Sequence, residues 1–209
     1  MMNNLPARAW ERKISAMFKR PLFLVLLALA GCHHKLSPQD VDVRGLIPAL
    51  SFTMTDVATG KAVTANSFRG SVALLYFGYT NCPDVCPDTL YNLDRIEKLM
   101  GPQDAGKLTV LFVTVDPDRD TPTVLAQYVA LFGNNIIGLR GTPDQLYKLA
   151  RRYRVVFSVV KKPVYTVTHS AAVYVFNAQG KPEFIIAGLD AAKPDFKGIA
   201  RDLKDVAEQ

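Results

Sequence analysis

Cysteine and histidine are both scarce, with three of each in 209 residues. Three sulfurs are too few for an all-cysteine iron–sulfur cluster, which takes four thiolates. Long apolar runs are missing too: residues 22–30 form a short one that cannot span a bilayer as a stable helix. No basic stripe with interleaved aromatics occurs, which excludes nucleic acid as a partner. Internal repeats and low-complexity tracts are also absent.

The formal net charge of +6 belongs mostly to the first 31 residues, which hold five Lys/Arg and one Glu. Without them the chain carries 20 basic and 18 acidic residues, a net of about +2. Arg8, Arg12, Lys13, Lys19 and Arg20 precede the apolar run, which ends Leu29-Ala30-Gly31-Cys32. A basic segment, a short apolar segment and small residues make a secretory signal over residues 1–31. Cys32 directly after Leu-Ala-Gly resembles the lipobox of bacterial lipoproteins, which implies a lipidated Cys32 and a polar tether over 32–45. Several acyl chains, at about 0.8 kcal/mol per buried methylene, hold a protein on a membrane where one would not. Met17-Phe18-Lys19-Arg20 would itself begin a complete signal. His33 and His34 in the tether read as solvated linker residues. The expected place is the bacterial envelope, on the extracytoplasmic side of a membrane.

With Cys32 assigned to the anchor, one thiol pair remains, four residues apart: Cys82-Pro83-Asp84-Val85-Cys86-Pro87. It follows the apolar, strand-like run 72–77 and precedes a helical pattern in which Leu90, Leu93, Ile96 and Met100 recur at spacings of three and four. Pro87 is placed to open that helix, with Asp88 in its first turn. The free N–H groups at a helix N-terminus lower a cysteine's pKa, and the thiolate is both nucleophile and metal ligand. Outside the cytosol the pair can also be oxidised.

The domain over 46–209 reads as α/β. A hairpin lies within 48–66, turning at 58–61. Strands follow at 72–77, 108–115 and 136–139, with helices over 87–100, 123–132 and 142–153. A further hairpin over 155–167 turns at Lys161-Lys162-Pro163. Residues 171–176 and 183–187 form an antiparallel pair, and an amphipathic helix over 193–207 closes the domain. A strand, a thiol turn and a helix, then βα, a hairpin and a terminal helix, is the order of a thioredoxin-like fold: a central mixed sheet flanked by helices, with an N-terminal hairpin and an inserted hairpin.

In that layout His169 starts the strand beside the one feeding the thiol turn. Two thiolates and an imidazole form a soft, low-coordinate set. It suits Cu(I) as a trigonal site, or Cu(II) with a further ligand from water or a carboxylate. Structural zinc wants a fourth protein ligand. In the loop 116–120, Asp120-Thr121 ahead of Pro122 suits a helix cap. Asp116 is a candidate for the rim of the site, as is Asp84 between the cysteines.

Three segments, residues 77–87, 115–122 and 165–170, resemble the signature segments of the Sco/SenC family in the family's order. The similarity runs from about residue 45 to the end. The resemblance implies a thioredoxin-like, membrane-tethered copper protein that assists assembly of cytochrome c oxidase. It further implies that Cys82, Cys86 and His169 are the copper ligands and that an apo copper protein, oxidase subunit II, is the partner. One departure stands out: the family often has Asp before this histidine, and here the residue is Thr168. That loss of a tuning carboxylate bears on Cu(II) more than on Cu(I).

Two functions fit these residues. One is a copper chaperone passing its metal by ligand exchange. The other is a thiol–disulfide oxidoreductase that reduces the cysteines of an apo copper protein. The Cys-x3-Cys spacing and a ligand-positioned histidine favour the first, because dedicated reductases use Cys-x-x-Cys. A peroxidase of the peroxiredoxin type would need Thr-x-x-Cys, and the chain has Thr80-Asn81-Cys82.

Overall fold

The computed structural model describes residues 35–191 and 193–209. The signal over 1–31, Cys32 and the histidine pair therefore lie outside the described residues. Eight strands form one sheet, in the order β1 (Asp40–Asp42), β10 (Pro182–Ile186), β9 (Val173–Phe176), β4 (Val72–Gly78), β5 (Leu108–Thr114), β6 (Ile136–Arg140), β2 (Thr53–Asp56) and β3 (Ala62–Thr64). β4, β5 and β6 are parallel, and β9 runs antiparallel to β4. β4 and β9 are buried at every residue, and their uninterrupted apolar sequences reflect a sheet covered on both faces.

Parallel neighbours cannot be joined by a tight turn, so helices make the crossovers. α1 (Val85–Met100) and the one-turn α2 (Pro102–Ala105) lead from β4 to β5, and α3 (Pro122–Ala130) leads from β5 to β6. The buried side of α1 is Cys86, Leu90, Leu93, Ile96 and Met100, so the first of the helix's core residues is a thiol. α1 packs against α5 (Phe196–Ala207), which buries Ile199, Leu203 and Val206. α4 (Pro143–Arg152) opens with a capping box in which Thr142 and Gln145 satisfy each other's backbone N–H groups. The result is the mixed α/β, thioredoxin-like arrangement, with its thiol turn at the C-terminal end of central strand β4.

Four details differ from the expectations above. The stretch 32–45 is not tether throughout: β1 pairs with β10, and Val43 is buried in the core. The packed body therefore starts ahead of residue 46. Helix α1 opens at Val85, so Pro87 is its third residue, where its missing N–H removes nothing from the helix ladder. Thr121 alone caps α3, accepting from the Val124 N–H, while Asp120 turns inward. The inserted hairpin, β7 (Phe157–Val160) and β8 (Thr166–His169), stands as a separate two-stranded sheet, so His169 ends the hairpin and does not start β9, the strand beside β4.

Candidate metal centre

β4 ends at Gly78 because the next residues must turn. The chain leaves the sheet through Tyr79 and Thr80, passes half-buried Cys82, and enters α1 with Cys86 in its first turn. Cys86 is fully buried. Its backbone N–H, one of the orphan donors of the helix start, points at the Cys82 Sγ at 3.4 Å. The tight ending of β4 leaves no space at Gly78: a Cβ there would meet the Phe112 ring at 2.8 Å and the Cys86 Sγ at 2.9 Å.

His169 comes to this turn from the separate hairpin. Its Nε2 lies 3.3 Å from the Cys86 Sγ and 3.8 Å from the Cys82 Sγ, and all three donor atoms fall within 4.8 Å of one another. The other ring nitrogen, Nδ1, is 3.0 Å from the Ser170 carbonyl oxygen. A carbonyl only accepts, so Nδ1 carries the proton and Nε2 presents its lone pair to the sulfurs. Tyr76 and Tyr79 set their rings edge-on to the imidazole, at 6.1 and 5.6 Å between centroids. Among the described residues this is a group of sulfur and nitrogen donors able to hold a metal ion.

The donor separations fit a soft ion. With bonds of about 2.0–2.3 Å, a three-coordinate centre needs donors roughly 3.8–4.0 Å apart, close to the distances present. Neither carboxylate proposed for the rim joins the set. Asp84 is exposed at the mouth of the site, and Asp116 is buried in another network, accepting from Arg119 and from the Tyr165 hydroxyl. A cleft of about 250 Å³ opens over the donors, lined by Tyr79, Cys82, Asp84, Val167, Thr168 and His169.

Electrostatics qualify the expectation of an activated thiolate. Burial pushes the Cys86 thiol up to about 12, despite its place at a helix N-terminus, and the neighbouring Cys82 adds to the rise. Burial also lowers the His169 pKa, which keeps the imidazole neutral and free to ligate. Cys86 is thus a protonated thiol at neutral pH, and only an incoming cation makes it a thiolate.

Sequence reasoning missed the aromatic residues that serve the site: Tyr76 and Tyr79 against the imidazole, and Tyr165 on Asp116. Their positions, two residues before Gly78, directly after it, and four residues before His169, are a usable signal.

A model of the SCO1/SenC family matches residues 48–207. Mitochondrial Protein SCO2 of Saccharomyces cerevisiae is 39% identical over 134 residues, which cover 62% of this chain and 44% of that protein. The chain spans about half the length of the curated relatives it matches. Among solved structures, Bradyrhizobium japonicum ScoI with copper bound is 36% identical, with a TM-score of 0.64 over 76% of this chain and 98% of that one. Yeast Sco1 with copper bound is 30% identical, with a TM-score of 0.67 over 78% and 90% of the two chains.

Proposed function

The chain belongs to the SCO1/SenC family, and from that premise we propose that it is an envelope copper carrier, anchored through Cys32, that holds one copper ion on Cys82, Cys86 and His169. It passes the ion to an apo copper protein, the copper-bearing subunit II of cytochrome c oxidase. The observation that carries this reading is the meeting of two sulfurs and one imidazole nitrogen within 4.8 Å, from segments more than eighty residues apart.

Binding costs a proton at Cys86, while His169 enters neutral. The buried Cys86 forms the floor of the site, and Cys82 and His169 stand at the cleft. An acceptor's thiolate or imidazole entering there displaces the outer ligands first, one at a time, so copper never enters water as a free ion.

The test is anaerobic titration with Cu(I) and Cu(II), read by native mass spectrometry and absorption, on the parent, Cys82→Ser and His169→Ala. One copper per chain is expected for the parent. If His169→Ala binds both oxidation states as tightly, with unchanged spectra, the ligand assignment is wrong.

One observation favours a second activity: half-exposed Cys82 has its sulfur within 4.8 Å of that of Cys86, and both are free thiols. Such a pair can reduce an acceptor disulfide, becoming Cys82–Cys86 disulfide while the acceptor gains two thiols, with two electrons and two protons transferred. Mixing reduced, copper-loaded chain with apo acceptor separates the two activities: metal moves in the first, electrons alone in the second.

A further inference from the structure

The two halves of the donor set ride on elements that share no strand ladder. The thiols follow β4 of the large sheet, whereas His169 ends a hairpin that forms its own two-stranded sheet. One short loop, residues 116–120, grips both halves.

On the sulfur side, fully buried Asp120 accepts from the Thr80 N–H at 3.1 Å and the Thr80 hydroxyl at 2.6 Å, two residues before Cys82. The Thr114 hydroxyl at the end of β5 donates to the same carboxylate at 2.5 Å. On the nitrogen side, buried Asp116 accepts from the Tyr165 hydroxyl at 2.5 Å, four residues before His169, and from Arg119. The Arg119 guanidinium lies over the Tyr165 ring, 4.0 Å from its centroid, and 5.9 Å from that of Tyr79. The Tyr79 hydroxyl reaches back to the Val167 carbonyl at 3.4 Å. A more exposed pair, Lys161 with Asp118, adds little.

Hydrogen bonds to a buried carboxylate are short and directional. Two such carboxylates four residues apart therefore tie the thiol turn and the histidine hairpin to one rigid reference. We propose that the loop 116–120 is a positioning device that sets the span between the sulfurs and the imidazole. Asp120 fixes the thiol side, while Asp116 and Arg119, acting through Tyr165, fix the histidine side. These are positioning residues and not ligands, and the inference rests on the reading of Cys82, Cys86 and His169 as the copper site.

The test uses Tyr165→Phe, which removes only the hydroxyl that holds Asp116, and Arg119→Ala, which removes the guanidinium between them. In the metal-free chain, amide hydrogen exchange over residues 157–169 is expected to speed up by about fivefold, the equivalent of one hydrogen bond, with β4 and α1 unchanged. In the titrated chain, Cu(II), which depends on the nitrogen, is expected to bind about tenfold more weakly with altered thiolate-to-copper absorption. Cu(I), which the two soft thiolates can retain when the imidazole drifts, should lose clearly less affinity than Cu(II).

Unchanged exchange over the hairpin in both variants overturns the inference. So does an equal loss of Cu(I) and Cu(II) affinity, which would mean general loosening. A parent chain that binds no copper would instead remove the proposed function, and the metal-free exchange would still decide whether the loop holds the hairpin.

Discussion

The Nε2 of His169 lies 3.3 Å from the Sγ of Cys86, a buried thiol whose pKa burial has pushed up to about 12. A proton on that sulfur and a metal ion in the triangle exclude each other. The thiol stays protonated across the physiological range, so every copper bound releases this proton. The sign follows: affinity for Cu(I) rises with pH, by about tenfold per unit for each proton displaced. Competition against a Cu(I) chelator at pH 6, 7 and 8, corrected for the chelator's own titration, measures the slope. An affinity independent of pH over that range would mean that Cys86 is not a ligand.

The close approach at Gly78 yields a second prediction. The backbone conformation there is ordinary for a strand, so the constraint is space alone: the Phe112 ring and the Cys86 Sγ occupy the place of a Cβ. Phe112 is fully buried and has nowhere to go. Gly78→Ala should therefore destabilise the fold by about 1–3 kcal/mol through overpacking and push the sulfur out of the donor triangle. Thermal unfolding and copper titration report the two effects separately. A variant with parent stability and parent affinity would show that the site tolerates a shift of that size.

Much of the layout was legible from local pattern. The alternation of apolar runs with 3.6-residue periodicity located the long crossover helices, though not the one-turn α2, and Cys86, Leu90 and Leu93 already share a helical face, so the burial of Cys86 could have been read as well. What escaped was the long-range use of polar residues. Asp120 looks like a helix cap because it precedes Thr121 and Pro122, yet its carboxylate serves Thr80, forty positions away. Asp116 looks like a rim residue because an acid near a metal site suggests a ligand; Tyr165 and Arg119 claim it instead. No local rule encodes such partners. β1 was hidden for the opposite reason: Asp-Val-Asp is too polar to read as a strand without knowledge of the free edge of β10 that it covers.

That same strand carries a buried acid with consequences for stability. Asp40 is buried, and no N–H or hydroxyl among the described residues donates to its carboxylate. Burial first, and the Asp202 carboxylate beside it second, raise its pKa to about 8, with Asp195 adding and Arg201 opposing. An acid whose folded pKa is raised binds its proton more tightly in the native state. Its contribution is most favourable below pH 4 and is lost progressively as pH rises to about 8. Asp40→Asn, neutral and nearly isosteric, should raise stability near neutrality by about 2 kcal/mol and flatten its fall between pH 5 and 8. Denaturant melts at both pH values give the answer. A fall in stability at pH 7 would show that the charged form of Asp40 is wanted in the fold.

Position 168 bears on the oxidation state of the cargo. Thr168 is exposed at the cleft, immediately before His169. Alternation along β8 keeps its side chain off the donor triangle, so a charge placed there acts through space and not as a ligand. With two thiolates and a neutral imidazole, bound Cu(II) makes a site of zero net charge and bound Cu(I) a site of −1. A carboxylate at position 168 repels the second and leaves the first nearly indifferent, while a partially solvated Cu(II) gains from it. Thr168→Asp should therefore favour Cu(II) over Cu(I) by about fivefold at low salt, and less as ions screen the pair. The ratio of the two affinities, or equally a fall in the reduction potential of the bound copper, measures it. A ratio that does not move, or that moves without responding to ionic strength, would show that the charge next to His169 does not govern which oxidation state the site prefers.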